Sequence, residues 1–124
     1  MLALKDILIE TQRVIDDVIE PMAMRTDAEC RWPMEGIRAL QAAGLGGLAD
    51  PVEFGGHGQG LLALTRVCEL IGLVCPSTAL CFGMHCVGTA VIASKATKKQ
   101  NNEFLVPICN GEHITTLALS EPGT

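Results

Sequence analysis

Histidine and cysteine are the side chains in this sequence that could ligate a metal ion or act as nucleophiles. They are His57, His85, His113, Cys30, Cys68, Cys75, Cys81, Cys86 and Cys109. A zinc site needs ligands paired at short spacing, and the sequence contains no Cys-x-x-Cys pair. Cys81 and Cys86 are five residues apart, which does not place them on one helical face. The cysteines stand mostly in apolar runs, which raise a thiol pKa. We therefore predict reduced, buried, inert thiols, no metal site and no catalytic residue.

Two glycine-rich segments could bind a phosphate through backbone N–H groups. The segment Gly44-Leu-Gly-Gly-Leu-Ala49 matches the spacing of the dinucleotide fingerprint, which follows a strand and opens a helix. Here a predicted helix precedes the segment and Asp50-Pro51 follows it. The segment Gly55–Gly60 lacks the Lys and the Ser or Thr of a P-loop. We interpret both segments as structural loops.

The composition excludes several classes of protein. A chain of 124 residues with 48% hydrophobic content predicts one domain with a real core. A net charge of -5 and 3% aromatic residues argue against a nucleic-acid binder. Asp16, Asp17 and Glu20 fall on the polar face of the first predicted helix, which favours a solvated role over acid–base chemistry. The reduced cysteines and the absence of a secretory signal pattern near Met1 predict a cytoplasmic protein.

Apolar periodicity predicts five helices that must position any site. The first has apolar residues at three- and four-residue steps from Leu4 to Met22, and Gly44 terminates the second. A long ordered loop follows over residues 44–60. The other predicted bounds are about Pro33–Ala43, Leu61–Ile71, Thr78–Ala96 and Lys98–Cys109.

The fourth predicted helix is apolar on nearly every side, so we expect other elements to surround it. The uncharged run from Leu70 to Ser94 is long enough to span a bilayer, but Pro76 and several polar residues interrupt it. A buried core helix is therefore favoured over a membrane span. This helix has shallow places at Gly83, Gly88 and Thr89. They favour close packing of a neighbouring helix; the alternative is a slot for a slender apolar ligand.

The C-terminal residues are typical of a strand running into a turn. Residues 115–119 are compatible with a strand, and Ser120-Glu-Pro-Gly123 follows them. A single strand has no ladder partner in the chain, so we expect it to pair with a strand outside these residues or to begin a further domain. The predicted fold is all-α: a bundle of about five helices with one C-terminal strand.

A series of motifs extends along the chain in a consistent order. They are Trp32-Pro33, residues 40–48, Pro51-Val-Glu-Phe-Gly-Gly-His-Gly58, Ser77-Thr-Ala-Leu80, Met84-His85, Phe104-Leu105, Gly111-Glu112 and Leu117-Ala-Leu-Ser-Glu-Pro-Gly-Thr124. In order and spacing they resemble the N-terminal helical domain of the acyl-CoA dehydrogenase family. The resemblance divides the chain into that helical domain, residues 1–113, and the first strand and flavin-contact motif of an otherwise absent middle β-domain, residues 114–124.

The resemblance implies a function for the complete protein. In that family three domains enclose FAD and an acyl-CoA thioester, and α,β-dehydrogenation sends electrons to an electron-transfer flavoprotein. The family commonly forms homo-oligomers. The resemblance implies cofactor contacts from Leu117, Ala118, Leu119, Ser120 and Thr124, and acyl-chain contacts from Leu80, Cys81 and Met84.

The family's catalytic base belongs to its C-terminal domain, which these residues do not include. We therefore expect the chain by itself to lack turnover and to bind FAD weakly or not at all. Two alternatives stay open: a stand-alone helical binding or assembly module, and part of a flavin monooxygenase of the same fold.

Overall fold

A computed structural model of the chain describes residues 1–118 and Gly123. The described residues form a bundle of α-helices, which confirms the predicted all-α class. The helices are α1 (Leu4–Val14), α2 (Glu20–Ala28), α3 (Met34–Ala42), α4 (Leu61–Gly72), α5 (Pro76–Lys95) and α6 (Lys98–Cys109). A π-helical turn, Ile15–Ile19, joins α1 to α2, and the loop between α3 and α4 contains the 3₁₀ turns Leu45–Gly47 and Val52–Phe54.

The first predicted helix is present, but it is interrupted by the π-helical turn. Ile15 and Ile19 are both buried there. Pro21 follows directly, has no backbone N–H, and would clash with the carbonyl four residues earlier in a regular α-helix. The wider π-helical turn before it gives the chain room to continue without breaking.

The core lies where α1, α3, α4 and α5 meet. Its fully buried members include Ile7, Leu40, Val67, Ile71 and Phe82. A smaller cluster of Phe54, Leu105 and Ile108 joins α6 to the loop between α3 and α4. The chain therefore orders this loop as a packed part of the domain.

Helix α5 is less enclosed than the sequence predicts. Phe82, His85 and Cys86 are buried on one side, but Leu80 is 68% exposed and Val91 41% exposed. Helices α3, α4 and α6 cover only part of its circumference, which leaves an apolar face uncovered. By length and mean hydropathy α5 would also qualify as a membrane span, a test that core helices of soluble proteins also pass.

The predicted C-terminal strand is not formed in the part of it that the structure describes. Residues 113–118 have no regular secondary structure, and Leu119 lies outside the described residues. No strand among residues 1–118 offers a ladder partner, so the backbone of this segment bonds to helical side chains instead.

Candidate functional site

An apolar groove of about 960 Å³ lies between α4 and α5. This volume is within the range of about 300–1,000 Å³ that is typical of ligand pockets. The groove is lined by Leu61, Leu62, Leu64, Thr65, Arg66, Cys68, Glu69 and Gly72 near or on α4, and by Pro76, Ala79, Leu80, Gly83, Met84 and Val87 on α5. The groove could therefore hold a slender apolar ligand.

Gly83 gives the groove part of its depth. A Cβ added to Gly83 would lie 3.6 Å from the Cys68 Sγ, an ordinary van der Waals distance. Helix packing therefore does not require a glycine there, and the missing side chain leaves space within the groove. This agrees with the slot proposed at Gly83, but Gly88 and Thr89 do not line the groove.

Two of the three predicted acyl-chain residues line this groove. Leu80 and Met84 are four residues apart on α5 and share one face of the helix. Cys81 is the next residue after Leu80 and points elsewhere, packing against the core. Burial raises the pKa of the Cys81 thiol, and a hydrogen bond with Trp32 acts in the opposite direction. The structure therefore does not bring Cys81 together with the other two.

The polar groups of the groove are few. Arg66 Nη1 lies 2.9 Å from a Glu69 carboxylate oxygen, and both side chains are more than half exposed. Among the described residues that line the groove, Glu69 is the one carboxylate. Glu69 is therefore engaged in an exposed ion pair with Arg66.

The segment leading to the predicted flavin contacts lies against another face of α5. The Thr115 N–H donates to His85 Nδ1 at 3.2 Å, and Gln41 Nε2 donates to the His113 carbonyl at 2.8 Å. Leu117 is half-buried and Ala118 is exposed. The remaining predicted cofactor contacts, Leu119, Ser120 and Thr124, lie outside the described residues.

A buried carboxyl group lies near His85, the residue that accepts from Thr115. Asp50 is fully buried, and its Oδ2 lies 3.6 Å from the Cys109 Sγ, which donates to it. Burial raises the pKa of Asp50, whereas the neighbouring Thr89, Cys109 and His85 lower it by less. Burial and then the adjacent Asp50 raise the pKa of Cys109 to about 12. Cys109 is therefore a poor nucleophile.

The cysteines agree in part with the sequence prediction. All six are unpaired, and burial raises the pKa of Cys68 and Cys86. Cys30 is exposed, so the prediction of burial is wrong for that residue. It lies in the connection between α2 and α3. Within residues 1–118, no group of three or more His, Cys, Asp or Glu side chains is arranged to hold a metal ion.

The sequence model for the N-terminal domain of acyl-CoA dehydrogenases matches residues 4–112. The chain belongs to this family. It is 29% identical over 108 residues to the short-chain-specific acyl-CoA dehydrogenase of Clostridium acetobutylicum, covering 86% of this chain and 28% of that protein. It is 31% identical over 104 residues to the acryloyl-CoA reductase (NADH) of Anaerotignum propionicum, covering 84% and 26%. The chain thus spans about a quarter of the length of these relatives.

The fold agrees with the family assignment. The chain superposes with a TM-score of 0.88 on a solved structure described as an electron transferring flavoprotein of Acidaminococcus fermentans, in work on flavin-based electron bifurcation. The match covers 99% of this chain and 33% of that one, at 23% identity. At this identity the likeness establishes the fold alone.

Sequence reasoning missed the contribution of α4 to the groove of this acyl-CoA dehydrogenase domain. Leu61, Thr65 and Glu69 follow one another at four-residue steps along the groove. This stripe includes polar residues, so an apolar pattern alone does not reveal it. The adjacent pair Leu61 and Leu62 at the start of the predicted helix was the available signal. In the structure both side chains are exposed.

Proposed function

We propose that this chain is the N-terminal domain of an FAD-dependent acyl-CoA dehydrogenase and that the α4–α5 groove forms one wall of its acyl-chain site. The observation that supports this is the uncovered apolar groove beside Leu80, Gly83 and Met84. Each methylene group that an acyl chain buries in such a groove contributes about 0.8 kcal/mol. Membership of the acyl-CoA dehydrogenase family indicates that the substrate is an acyl-CoA.

The proposed reaction of the whole protein forms the α,β double bond of an acyl-CoA thioester. A bound flavin would accept a hydride from the β-carbon, while a carboxylate base removes the α-proton. In this proposal Leu80 and Met84 contact the acyl chain, whereas Cys81, which does not line the groove, does not. Leu117, Ala118, Leu119, Ser120 and Thr124 contact the flavin, and an electron-transfer flavoprotein accepts the electrons.

We also propose that the 124-residue chain by itself has no turnover and retains little FAD. The carboxylate in the groove, Glu69, is engaged in an exposed ion pair with Arg66. Leu117 is half-buried and Ala118 is exposed. These two apolar side chains can contact one edge of the flavin ring, but they do not form a complete binding site. Stoichiometric FAD retained through gel filtration would contradict this.

We further propose that the whole protein forms a homo-oligomer and is cytoplasmic. The unpaired cysteines support the cytoplasmic location.

The groove proposal can be tested with methionine methyl groups as probes. The chain has five methionines, and Met84 is the one among the groove-lining residues. With carbon-13 methyl labels, titration with octanoyl-CoA should shift the Met84 signal, whereas the highly exposed Met1 and Met24 should stay unchanged. CoA without an acyl chain is the control and should leave Met84 unshifted. If octanoyl-CoA does not move Met84, the groove is not the acyl site.

Two leucines provide a matched pair of variants for the same titration. Leu80 and Leu73 are 68% and 79% exposed, but only Leu80 lines the groove. A buried leucine contact is worth about 1.5–3 kcal/mol, so Leu80→Asp should weaken octanoyl-CoA binding about ten-fold or more. Leu73→Asp should leave the affinity unchanged. Equal effects of the two variants would contradict the proposal.

A further inference from the structure

His85 holds the C-terminal segment against α5, the helix that also lines the groove. We infer that His85 is a positioning residue: it fixes residues 113–118 relative to the acyl groove. This inference rests on the proposed function, because it assigns Leu117 and Ala118 to the flavin side of that site. His85 is 2% exposed, so its two ring nitrogens depend on protein partners.

The two hydrogen bonds of His85 determine its tautomer. Nε2 lies 2.9 Å from the Gly46 carbonyl oxygen, which can only accept, so Nε2 carries the proton. Nδ1 lies 3.2 Å from the backbone nitrogen of Thr115, which can only donate, so Nδ1 is the acceptor. A neutral imidazole therefore links the loop after α3 to the C-terminal segment.

Two further contacts support the same placement. A Cβ on Gly88 would lie 3.0 Å from the Thr115 Cγ2 and 3.1 Å from the Thr116 carbonyl carbon, so a side chain at residue 88 would push the segment away by a few tenths of an ångström. Gln41 holds the segment at His113 with a bond of 2.8 Å. The segment is therefore fixed at several points along α3 and α5.

Helix α5 therefore fixes the distance between the acyl groove and residues 113–118. Met84 and Val87 face the groove, while His85 and Gly88 face the segment. Successive side chains on a helix are rotated by about 100°, so one rigid element holds both surfaces. Small displacements of reacting groups are costly for catalysis, which gives this contact a function beyond packing.

Replacing His85 with each of two amides separates its two bonds. In His85→Gln the amide reaches the Nε2 position and can still donate to Gly46, but no acceptor remains for Thr115. In His85→Asn the side-chain oxygen takes the Nδ1 position and can still accept from Thr115. Hydrogen exchange of residues 113–118 should rise about ten-fold in His85→Gln, which corresponds to about 1.4 kcal/mol, and much less in His85→Asn.

A nitrogen-15 spectrum of the His85 ring tests the two hydrogen bonds directly. It should show a protonated Nε2 and an unprotonated Nδ1. The opposite tautomer, or an equal rise in exchange for the two amide variants, would overturn the inference.

Substitutions at Gly88 and Gly83 test the same contact without changing His85. They test the inference even if His85→Gln fails to fold. Gly88→Ala should increase exchange in residues 113–118, because its Cβ meets the segment. Gly83→Ala is the matched control on the same helix, since its Cβ meets only Cys68 at an ordinary distance. Equal exchange in both variants would contradict the inference. These exchange experiments need no ligand. If the variants change exchange as expected but octanoyl-CoA does not bind in the groove, the proposed function is refuted instead.

Discussion

Replacing Asp50 with asparagine should raise the free energy of unfolding at neutral pH. Asp50 is fully buried, and its Oδ1 has no hydrogen-bond partner among the described residues. The ionised carboxyl loses its hydration there, and this burial raises its pKa. Asparagine has nearly the same size but cannot ionise, so the variant avoids the cost of burying a charge.

The sign and size of the effect follow from proton linkage. The pKa of Asp50 is higher in the folded protein than in the unfolded chain, so the folded state binds the proton more tightly. Its contribution to stability is complete below the unfolded pKa of about 3.9 and is lost as the pH rises through the folded pKa. Each unit of difference between the two pKa values corresponds to about 1.4 kcal/mol.

Urea unfolding followed by circular dichroism, from about pH 3 to about pH 8, measures this directly. The stability of Asp50→Asn minus that of the unsubstituted chain should be constant below about pH 4, increase with pH, and level off above the folded pKa. As a second readout, the thiol pKa of Cys109, which burial and Asp50 raise to about 12, should fall in the variant. A difference that is the same at every pH would refute the reasoning.

Three further substitutions test the packing. Phe82→Ala should cost about 3–5 kcal/mol of unfolding free energy, and Phe104→Ala clearly less, because Phe82 is fully buried and Phe104 is 40% exposed; equal losses in urea unfolding would contradict the core assignment. Gly56→Ala should destabilise by about 1–3 kcal/mol or more, because its Cβ would clash with backbone, while Gly60→Ala, at the N-cap of α4 with open space around it, should cost clearly less in the same assay. Native titration with a thiol reagent should show a fast phase that Cys30→Ser removes, since Cys30 is exposed; a persistent fast phase would mean that another thiol is accessible.

Local signals predicted most of the helical fold. The second predicted helix, Pro33–Ala43, agrees with α3 to within one residue at each end. Gly44 adopts a φ of +77°, the left-handed conformation expected of a helix terminator. Such boundaries depend on a few neighbouring residues, which is why the sequence reveals them.

The features that were missed depend on contacts between distant residues. Periodicity showed that α5 is apolar all round, but not which of its faces α4 leaves open. Residues 115–118 have strand-like composition, yet a strand also needs a partner, which is a property of the whole fold. The resemblance grouped Cys81 with Leu80 and Met84, but adjacent helical residues face different directions, and Cys81 does not line the groove.

Helix α5 presents separate surfaces to the core, the groove and the C-terminal segment. Phe82 is buried in the core, Leu80 lines the groove, and Gly88 contacts the segment. A helix is rigid over this length, so changes on one face should leave the others in place. Phe82→Ala should then reduce stability, Leu80→Asp should reduce acyl-CoA binding, and Gly88→Ala should increase exchange in the segment. If each substitution altered all three properties, α5 would be one cooperative packing unit and the proposed division of its surfaces would be wrong.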